Sequence, residues 1–459
     1  MAQQGPTSVT ASGESNGKPR FSFSNGILTA STALQLHDAD IIAVTGAQGD
    51  GDGYNILSLA PEGEASAETH PQPFELLITK ATHLPEDFLD IYHIKDVPSH
   101  LEPSCQLSVV VSTLSGTGLA TSFFEKILRP VLQTLSIDES QYSVDRTENT
   151  QSVHDLAKTT LLENANGGDA QTVVVLSGDG GIVDIINGLL ESGERSSDYT
   201  PPVICQIPLG TGNALFHSLH RSSTTPSIYV QALRTLLTGQ PKPLPTFKAT
   251  FSPGARLLTH EGQSATPLSN NTLYGAVVAS YGLHSTLVAD SDTTEYRKHG
   301  DKRFGLVAKD LLYPEDGSPH AYQADVTLLQ DGKQNAVGRQ EHGYILATLV
   351  SNLEKTFTIS PETKPLDGVL RVVNFGPLSG DESMEIMKAA YQDGKHIGME
   401  GVGYDAVEGL DVKFLEVGES WKWRRCCVDG LIVGVEEGGW MKVRVMEKGS
   451  EAVQIVSDV

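Results

Sequence analysis

The sequence predicts an α/β lobe built on a parallel sheet, then an antiparallel β-sandwich lobe, with a small, mostly β module in front. Three observations support this. Between residues 104 and 245, short continuous apolar runs alternate with apolar positions at helical spacing. From residue 246 to 459, alternating strand patterns dominate. From residue 20 to 101, short β-like runs are separated by turn and loop material. A chain of 459 residues buries a core of this kind without disulfide or metal staples.

Residues 1–19 are small and polar and are expected to form a disordered tail. In the module, GILTAS, DIIAVTG, YNILSLA, FELLITK and FLDIYHI read as strands, with loops at 49–53 and 61–73. Packing or docking is the favoured role for this module over phospholipid binding. Next, LSVVV (107–111), YSVDRT (142–147), TVVVL (172–176) and VICQI (203–207) read as strands, with helices between them. Strand–loop–helix units in series imply right-handed crossovers and a parallel sheet. PKPLPTF (241–247) reads as a linker. Beyond it, TLYGAVVAS, AYQADVTLL, GYILATLV, GVLRVVNF and LDVKFLE alternate as antiparallel strands do, interrupted by one helix near 382–393. Segments 260–271 and 331–342 read as mobile loops. Met384 and Met387 read as core positions of that helix, and His154 and His396 as surface or packing residues.

Lys and Arg total 33 against 57 Asp and Glu, a net charge of -24. That balance argues against nucleic acid as a partner, since phosphate neutralisation needs cations. It also disfavours strong unspecific attraction to anionic membranes. No apolar run reaches the length of a membrane span, and the N-terminus lacks the apolar core of a signal peptide. A cytoplasmic protein that meets membranes only peripherally is expected. Cys105, Cys205, Cys426 and Cys427 include no CxxC pair and read as free thiols.

SGTG (115–118), SGDGG (177–181) and PLGTGN (208–213) each follow a predicted strand. In an open parallel sheet, ligands bind beyond the carboxyl ends of the strands. Glycine there lets backbone N–H groups approach a phosphate closely. No loop matches GxGxxG in its dinucleotide context or GxxxxGK[ST]. Asp179 lies between two of these glycines; it is either a turn aspartate or a carboxylate set beside a nucleotide phosphate.

SGDGGIVDIINGLL (177–190) and IPLGTGNALFHSL (207–219) resemble the signature loops of the diacylglycerol kinase–sphingosine kinase superfamily. Ser177 before Gly178 is closer to the sphingosine (long-chain base) kinase branch. VVVSTLSGTGLA (109–120), DRTENTQSVHDLAK (145–158), ADSDTTEYRKHGDKRFG (289–305), DGVLRVVNF (367–375), DGKHIG (393–398) and CVDGLIVG (427–434) extend the likeness over roughly 104–440.

The resemblance implies a nucleotide-binding α/β lobe of the NAD kinase/diacylglycerol kinase type and a lipid-binding sandwich. ATP and Mg²⁺ would be required, and a lipid would be the acceptor. Asp179 would be the general base. Ser112, Thr113, Leu114, Thr147, Glu148, Ser177, Gly178, Gly180, Asp184, Thr211, Gly212, Asn213, Asp429 and Gly430 would lie about the nucleotide. Arg297 and Arg303 would reach its phosphates, and Asp290 the polar head of the lipid, whose chain would enter an apolar cavity of the second lobe. On the residues alone, Arg297 and Arg303 also fit a solvated basic turn, and Asp290 and Asp292 the cap of a helix starting near Thr293.

This chain departs from the family pattern at four places. Ser112 and Thr113 replace Asn-Pro, Gly181 replaces a larger residue, and Asp184 replaces a glutamate. Leu431 stands where the family has the glutamate of Asp-Gly-Glu, so a carboxylate near the metal or nucleotide is gone. The expected activity is phosphorylation of the primary hydroxyl of a sphingoid base. The alternatives are a diacylglycerol or ceramide kinase, a catalytically impaired relative, and an NAD kinase.

Overall fold

The computed structural model describes residues 7–9, 21–30, 34–47, 53–60, 74–113, 116–193, 195–315, 317–418 and 420–459. The loops expected at 49–53 and 61–73 therefore lie almost wholly outside the described residues, as does the expected tail apart from Thr7–Val9. That short strand pairs in parallel with Leu77–Thr79.

Four of the expected runs form strands: GILTAS holds Ile27–Thr29, antiparallel to Ser22–Ser24 and Gln35–His37, and three others form antiparallel strands β1 (Ile41–Gly46), β2 (Tyr54–Leu59) and β3 (Leu76–Ala81). The apolar character of these three is nearly continuous because both faces are covered. Ile41, Val44, Ile56 and Ala81 pack with Phe88, while Ile42, Leu57, Leu59 and Leu76 join the core of the α/β lobe. Arg234 Nε also donates to Ile41 O at 2.8 Å. The module is thus packed onto the α/β lobe. FLDIYHI is not a strand: Glu86–Tyr92 is helix α1, with Pro85 at its N-cap and Glu86 and Asp87 in its first turn. Those are helix-start signals, and they outweigh the apolar look of the run.

The α/β lobe contains β4 (Gln106–Val111), β5 (Tyr142–Arg146), β6 (Gln171–Ser177) and β7 (Val203–Pro208). Strands β5, β4, β6 and β7 are parallel neighbours in that order. Helix α2 runs through Ala120–Phe123, a π-type turn Phe124–Leu128 and Arg129–Thr134. Helix α3 repeats that plan through Ser152–Leu156, Ala157–Leu161 and Leu162–Asn166. Then follow α4 (Asp179–Leu190), α5 (Ala214–Leu219) and α6 (Ile228–Thr238).

Two findings revise the expected boundaries. Part of the expected linker is edge strand β8 (Gln240–Pro243), whose two prolines suit an edge position. The chain also returns at its end: Gln454–Ser457 inserts between β7 and β8, parallel to the first and antiparallel to the second. Residues 246–459 are therefore not all one lobe. A short strand paired so far along the chain carries no local signal.

The second lobe holds β9 (Phe247–Phe251), β10 (Arg256–Thr259), β11 (Ser264–Pro267), β12 (Thr272–Gly275) and β13 (Val278–Gly282). Helices α7 (Leu283–Ser291), α8 (Thr294–Arg297) and α9 (Arg303–Leu312) follow; α8 is the helix expected to start near Thr293, whereas α7 and α9 were not expected. Strands β14 (Tyr322–Gln330), β15 (Lys333–Ala336), β16 (Tyr344–Thr348) and β17 (Leu370–Phe375) lead to α10 (Gly380–Ala390). The lobe closes with β18 (Val402–Val407), β19 (Gly409–Phe414), β20 (Arg425–Val428), β21 (Leu431–Gly434) and β22 (Trp440–Val445). Both segments expected as loops contain hairpin strands, β11 and β15.

One antiparallel sheet runs β12-β9-β22-β19-β14-β15, and a second runs β11-β10-β21-β20-β13-β16-β17-β18. Phe247, Phe251, Tyr281 and Phe414 fill the space between them, each at most 2% exposed. These side chains belong to the core that joins the two sheets. On its other face the second sheet shares a core with α4: Val278, Leu346 and Val373 pack in the same cluster as Ile182 and Ile185.

Candidate functional site

The parallel register fixes where the glycine loops go. Leu176 pairs with Ile207 and Ser177 with Pro208, so SGDGG and PLGTGN leave the sheet side by side. Gly178 and Gly210 meet backbone to backbone: a Cβ on Gly178 would lie 2.9 Å from Gly210 Cα, and one on Gly210 would overlap Gly178 Cα. Glycine is required at both places by this close approach. The first loop joins them, because Thr117 Oγ1 donates to Leu209 O at 2.6 Å. A Cβ on Gly116 would lie 2.9 Å from Thr211 Cγ2. Gly181, where the family has a larger residue, has room for no Cβ, since Ser177 Oγ would be 2.9 Å away.

Asp179 begins α4 and lies where the loops converge. Its Oδ2 accepts from Ala214 N at 2.6 Å, and its Oδ1 from Leu215 N at 3.1 Å and Gln206 Nε2 at 3.3 Å. It is thus a local structural residue as well as a carboxylate beside the loops. Burial raises its pKa, against the opposing effect of the amides of Ala214 and Leu215 and of Gln206. Asn213, at φ 53°, turns its side chain back on its own loop: Oδ1 accepts from Gly210 N and Nδ2 donates to Gly210 O, both at 3.0 Å. Asn213 therefore shapes the loop. Thr211 is exposed at its tip, with Gly212 half-buried next to it.

Ser112 N donates to Leu176 O at 3.2 Å. Thr113 N donates to Thr147 Oγ1 at 2.9 Å, and Thr113 Oγ1 to Thr147 O at 2.6 Å. Those contacts join the first loop to the end of β5. Glu148 is exposed beside it. Leu114 lies outside the described residues.

Asp184 and Leu431 line one cleft of about 430 Å³ between the lobes, with Gln151, His154, Lys248 and Tyr274. Burial pushes the Asp184 carboxyl up to about 7. The pH dependence follows from the sign. Between about pH 4 and 7 the folded form keeps a proton that the unfolded chain has lost, so stability falls as pH rises and levels off above 7. Asp184→Asn is expected to raise the melting temperature by about 2–4 °C at pH 8 and to leave it unchanged at pH 4. An equal change at both values would contradict this.

Asp429 and Gly430, both at positive φ (47° and 90°), form the two-residue turn of the β20–β21 hairpin, in which Val428 pairs with Leu431. The Asp429 carboxylate accepts from Ala276 N at 2.6 Å and Val278 N at 2.5 Å, tying that turn to the bend before β13. Burial pushes it up to about 7, and the charge of Asp179 adds to the rise. Both aspartates therefore share one neighbourhood across the lobe boundary.

The other residues implied by the resemblance are engaged elsewhere. Arg297 makes a two-pronged pair with Asp292, at 2.9 and 2.6 Å, and Arg303 Nη1 lies 3.7 Å from the same carboxylate. Asp290 Oδ1 pairs with Arg425 Nη2 at 2.8 Å. Neither Asp290 nor Asp292 caps α8: Thr293 is its N-cap, and Thr294 N donates to Glu261 Oε1 at 2.7 Å. His154 lies 3.4 Å from Glu191, and His396 is buried on Ile359 O.

Three contributors were missed. Gln206 holds Asp179, and Arg425 holds Asp290. Asn187 latches α4 to the sandwich, with Nδ2 donating to Tyr274 O at 2.8 Å and Oδ1 accepting from Tyr274 N at 2.9 Å. Gln206 did carry a signal, a polar residue inside the apolar strand VICQI.

A parallel-sheet lobe with converging glycine loops, packed on a two-sheet antiparallel lobe, defines the class: a two-lobed fold with a candidate phosphate site on its α/β lobe. A sequence model of the diacylglycerol kinase catalytic domain matches residues 106–249. Sphingosine kinase 1 of Rattus norvegicus is 27% identical over 244 residues, 52% of this chain and 56% of that protein. Sphingosine kinase 1 of Homo sapiens is 26% identical over 202 residues, 44% of this chain and 47% of that protein. The matches thus span about half the length of these curated relatives. A solved structure described as a diacylglycerol kinase from Bacillus anthracis shares the fold, at a TM-score of 0.50 and 14% identity over 77% of this chain and 95% of that one. These matches support a likeness to the diacylglycerol kinase–sphingosine kinase superfamily, centred on residues 106–249.

Proposed function

We propose that this chain is an ATP-dependent lipid kinase that phosphorylates the primary hydroxyl of a sphingoid long-chain base. The observation that carries the reading is the meeting of the glycine loops around Asp179, with Gly178 against Gly210. Their backbone N–H groups offer a site for the phosphates of ATP, with Ser112, Thr113, Thr147 and Glu148 alongside. In the reaction the acceptor oxygen bonds to the γ-phosphorus as the bond to the ADP oxygen breaks. Asp179 takes the hydroxyl proton, and a carboxylate with a raised pKa suits that task. Alignment and fixed N–H dipoles supply the rest of the acceleration.

Mg²⁺ fits the residues present. It is commonly held by one or two carboxylates together with substrate phosphates and water. Asp184 supplies one carboxylate to the cleft, and no group of three ligating side chains occurs among the described residues. When bound, the ion would neutralise charge on the phosphates. The acceptor lipid would be drawn from a membrane surface by a cytoplasmic protein, and no described helix is long and apolar enough to cross a membrane.

A second reading, a catalytically impaired relative, is favoured by Leu431, an apolar side chain in the same cleft as Asp184. Leu431→Glu separates the two. On the kinase reading it lowers the Mg²⁺ concentration for half-maximal phosphoryl transfer by about tenfold. It also makes the melting temperature depend on Mg²⁺, because two carboxylates repel until a cation joins them. Activity absent from both wild type and variant, with ATP still bound, supports the impaired relative.

A further inference from the structure

The carboxylate assigned to the lipid head is not free. Asp290, on the last turn of α7, gives Oδ1 to Arg425 Nη2 at 2.8 Å. The two side chains are 27% and 14% exposed, so water screens the pair only in part. Arg425 is held in place as well, its Nε donating to Lys422 O at 3.1 Å. Asp290 Oδ2 has no partner among the described contacts. The Tyr296 hydroxyl is raised mainly by its hydrogen bond to Asp310 and the Tyr322 hydroxyl mainly by burial, and the charge of Asp290 adds to both. Asp292, two residues on, is paired with Arg297.

A headgroup that reaches Asp290 therefore meets a carboxylate whose charge is already balanced, with Oδ1 taken by Arg425. A hydroxyl can donate to that carboxylate with no electrostatic penalty. An ammonium gains little from a neutralised carboxylate and is repelled by the guanidinium beside it. We infer that Arg425 is a specificity-determining residue that narrows, without reversing, the preference for amine-bearing lipids over neutral hydroxylated ones. Specificity is a difference of affinities, and a fixed like charge is one way to set it. The inference rests on the reading of Asp290 as the headgroup residue.

The test is calorimetric titration of the full chain with sphingosine and with a diacylglycerol of matched chain length, both in neutral detergent micelles. Arg425→Met is expected to tighten sphingosine binding about tenfold and to leave diacylglycerol within about twofold. Arg425→Lys, which keeps the charge, should match wild type. Where Arg425→Met does not fold, Arg425→Gln carries the same expectation. Unchanged sphingosine affinity in a folded, uncharged variant overturns the inference. Asp290→Asn separates the two claims. If it weakens sphingosine binding while the uncharged Arg425 variants change nothing, only the role of Arg425 falls. If Asp290→Asn has no effect on sphingosine, or wild type binds neither lipid, the headgroup reading falls and Arg425 with it.

Discussion

Gly210→Ala is expected to destabilise the protein by at least about 3 kcal/mol and to abolish measurable ATP binding. The added methyl would overlap Gly178 Cα and lie 2.9 Å from Asn213 Oδ1. The first obstacle is backbone, which no rotamer change relieves. Relief requires separating the second and third loops, and the N–H groups proposed to face the phosphates move with them. Gly178→Ala meets the same contact from the other side, at 2.9 Å. Gly180 is the control for the physical cause: no atom lies within 4 Å of a Cβ built there, so Gly180→Ala should keep the wild-type melting temperature. Thermal melting and nucleotide titration check all three. A Gly210→Ala protein with wild-type stability and ATP affinity would contradict the loop geometry.

Asp179→Asn is expected to lower phosphoryl transfer about 10²–10⁴-fold, the range typical of a lost general base. The carboxamide keeps one acceptor oxygen for either Ala214 N or Leu215 N, which bond to different oxygens of the carboxylate, so this variant should lose one of these two bonds and part of the stability they supply. Asp179→Ala should lose transfer equally. It should also lose about 1 kcal/mol more stability, because the N-terminal amides of α5 lose their acceptor. The wild-type pH profile gives an independent check. A base whose pKa is raised is protonated, and inactive, at pH values where an ordinary aspartate has already ionised. The acid limb of kcat should therefore lie above the usual aspartate range and be absent from the residual activity of Asp179→Asn.

What the sequence disclosed follows from which interactions are local. TVVVL and VICQI are apolar because their strands are covered on both faces, and each ends in a glycine loop, so the parallel sheet and the candidate phosphate site were legible together. The requirement for glycine at 178 and 210 was legible as a motif, but not as one backbone pressed on another. FLDIYHI misled because Phe88, Ile91 and Tyr92 are apolar whatever the backbone does, and the helix signal lay in Pro85-Glu86-Asp87 ahead of them. Helix α7 was missed because its buried positions, Leu283, Ser285, Thr286 and Ser291, form no apolar stripe. The partners of Asp290 and Asp429 were beyond reach, since Arg425 lies 135 residues from the first and Val278 lies 151 from the second. Leu431 was readable as a departure from the family pattern, and the fold adds that it faces the cleft shared with Asp184.

The measurement that bears most directly on the central claim is transfer of label from radiolabelled ATP with Mg²⁺. Wild type and Asp179→Asn are run side by side on sphingosine, phytosphingosine, ceramide, diacylglycerol and NAD. The account predicts a labelled lipid phosphate with wild type, strongest on a sphingoid base, and almost none with the variant. Equal labelling by both proteins, or label on NAD alone, would contradict it.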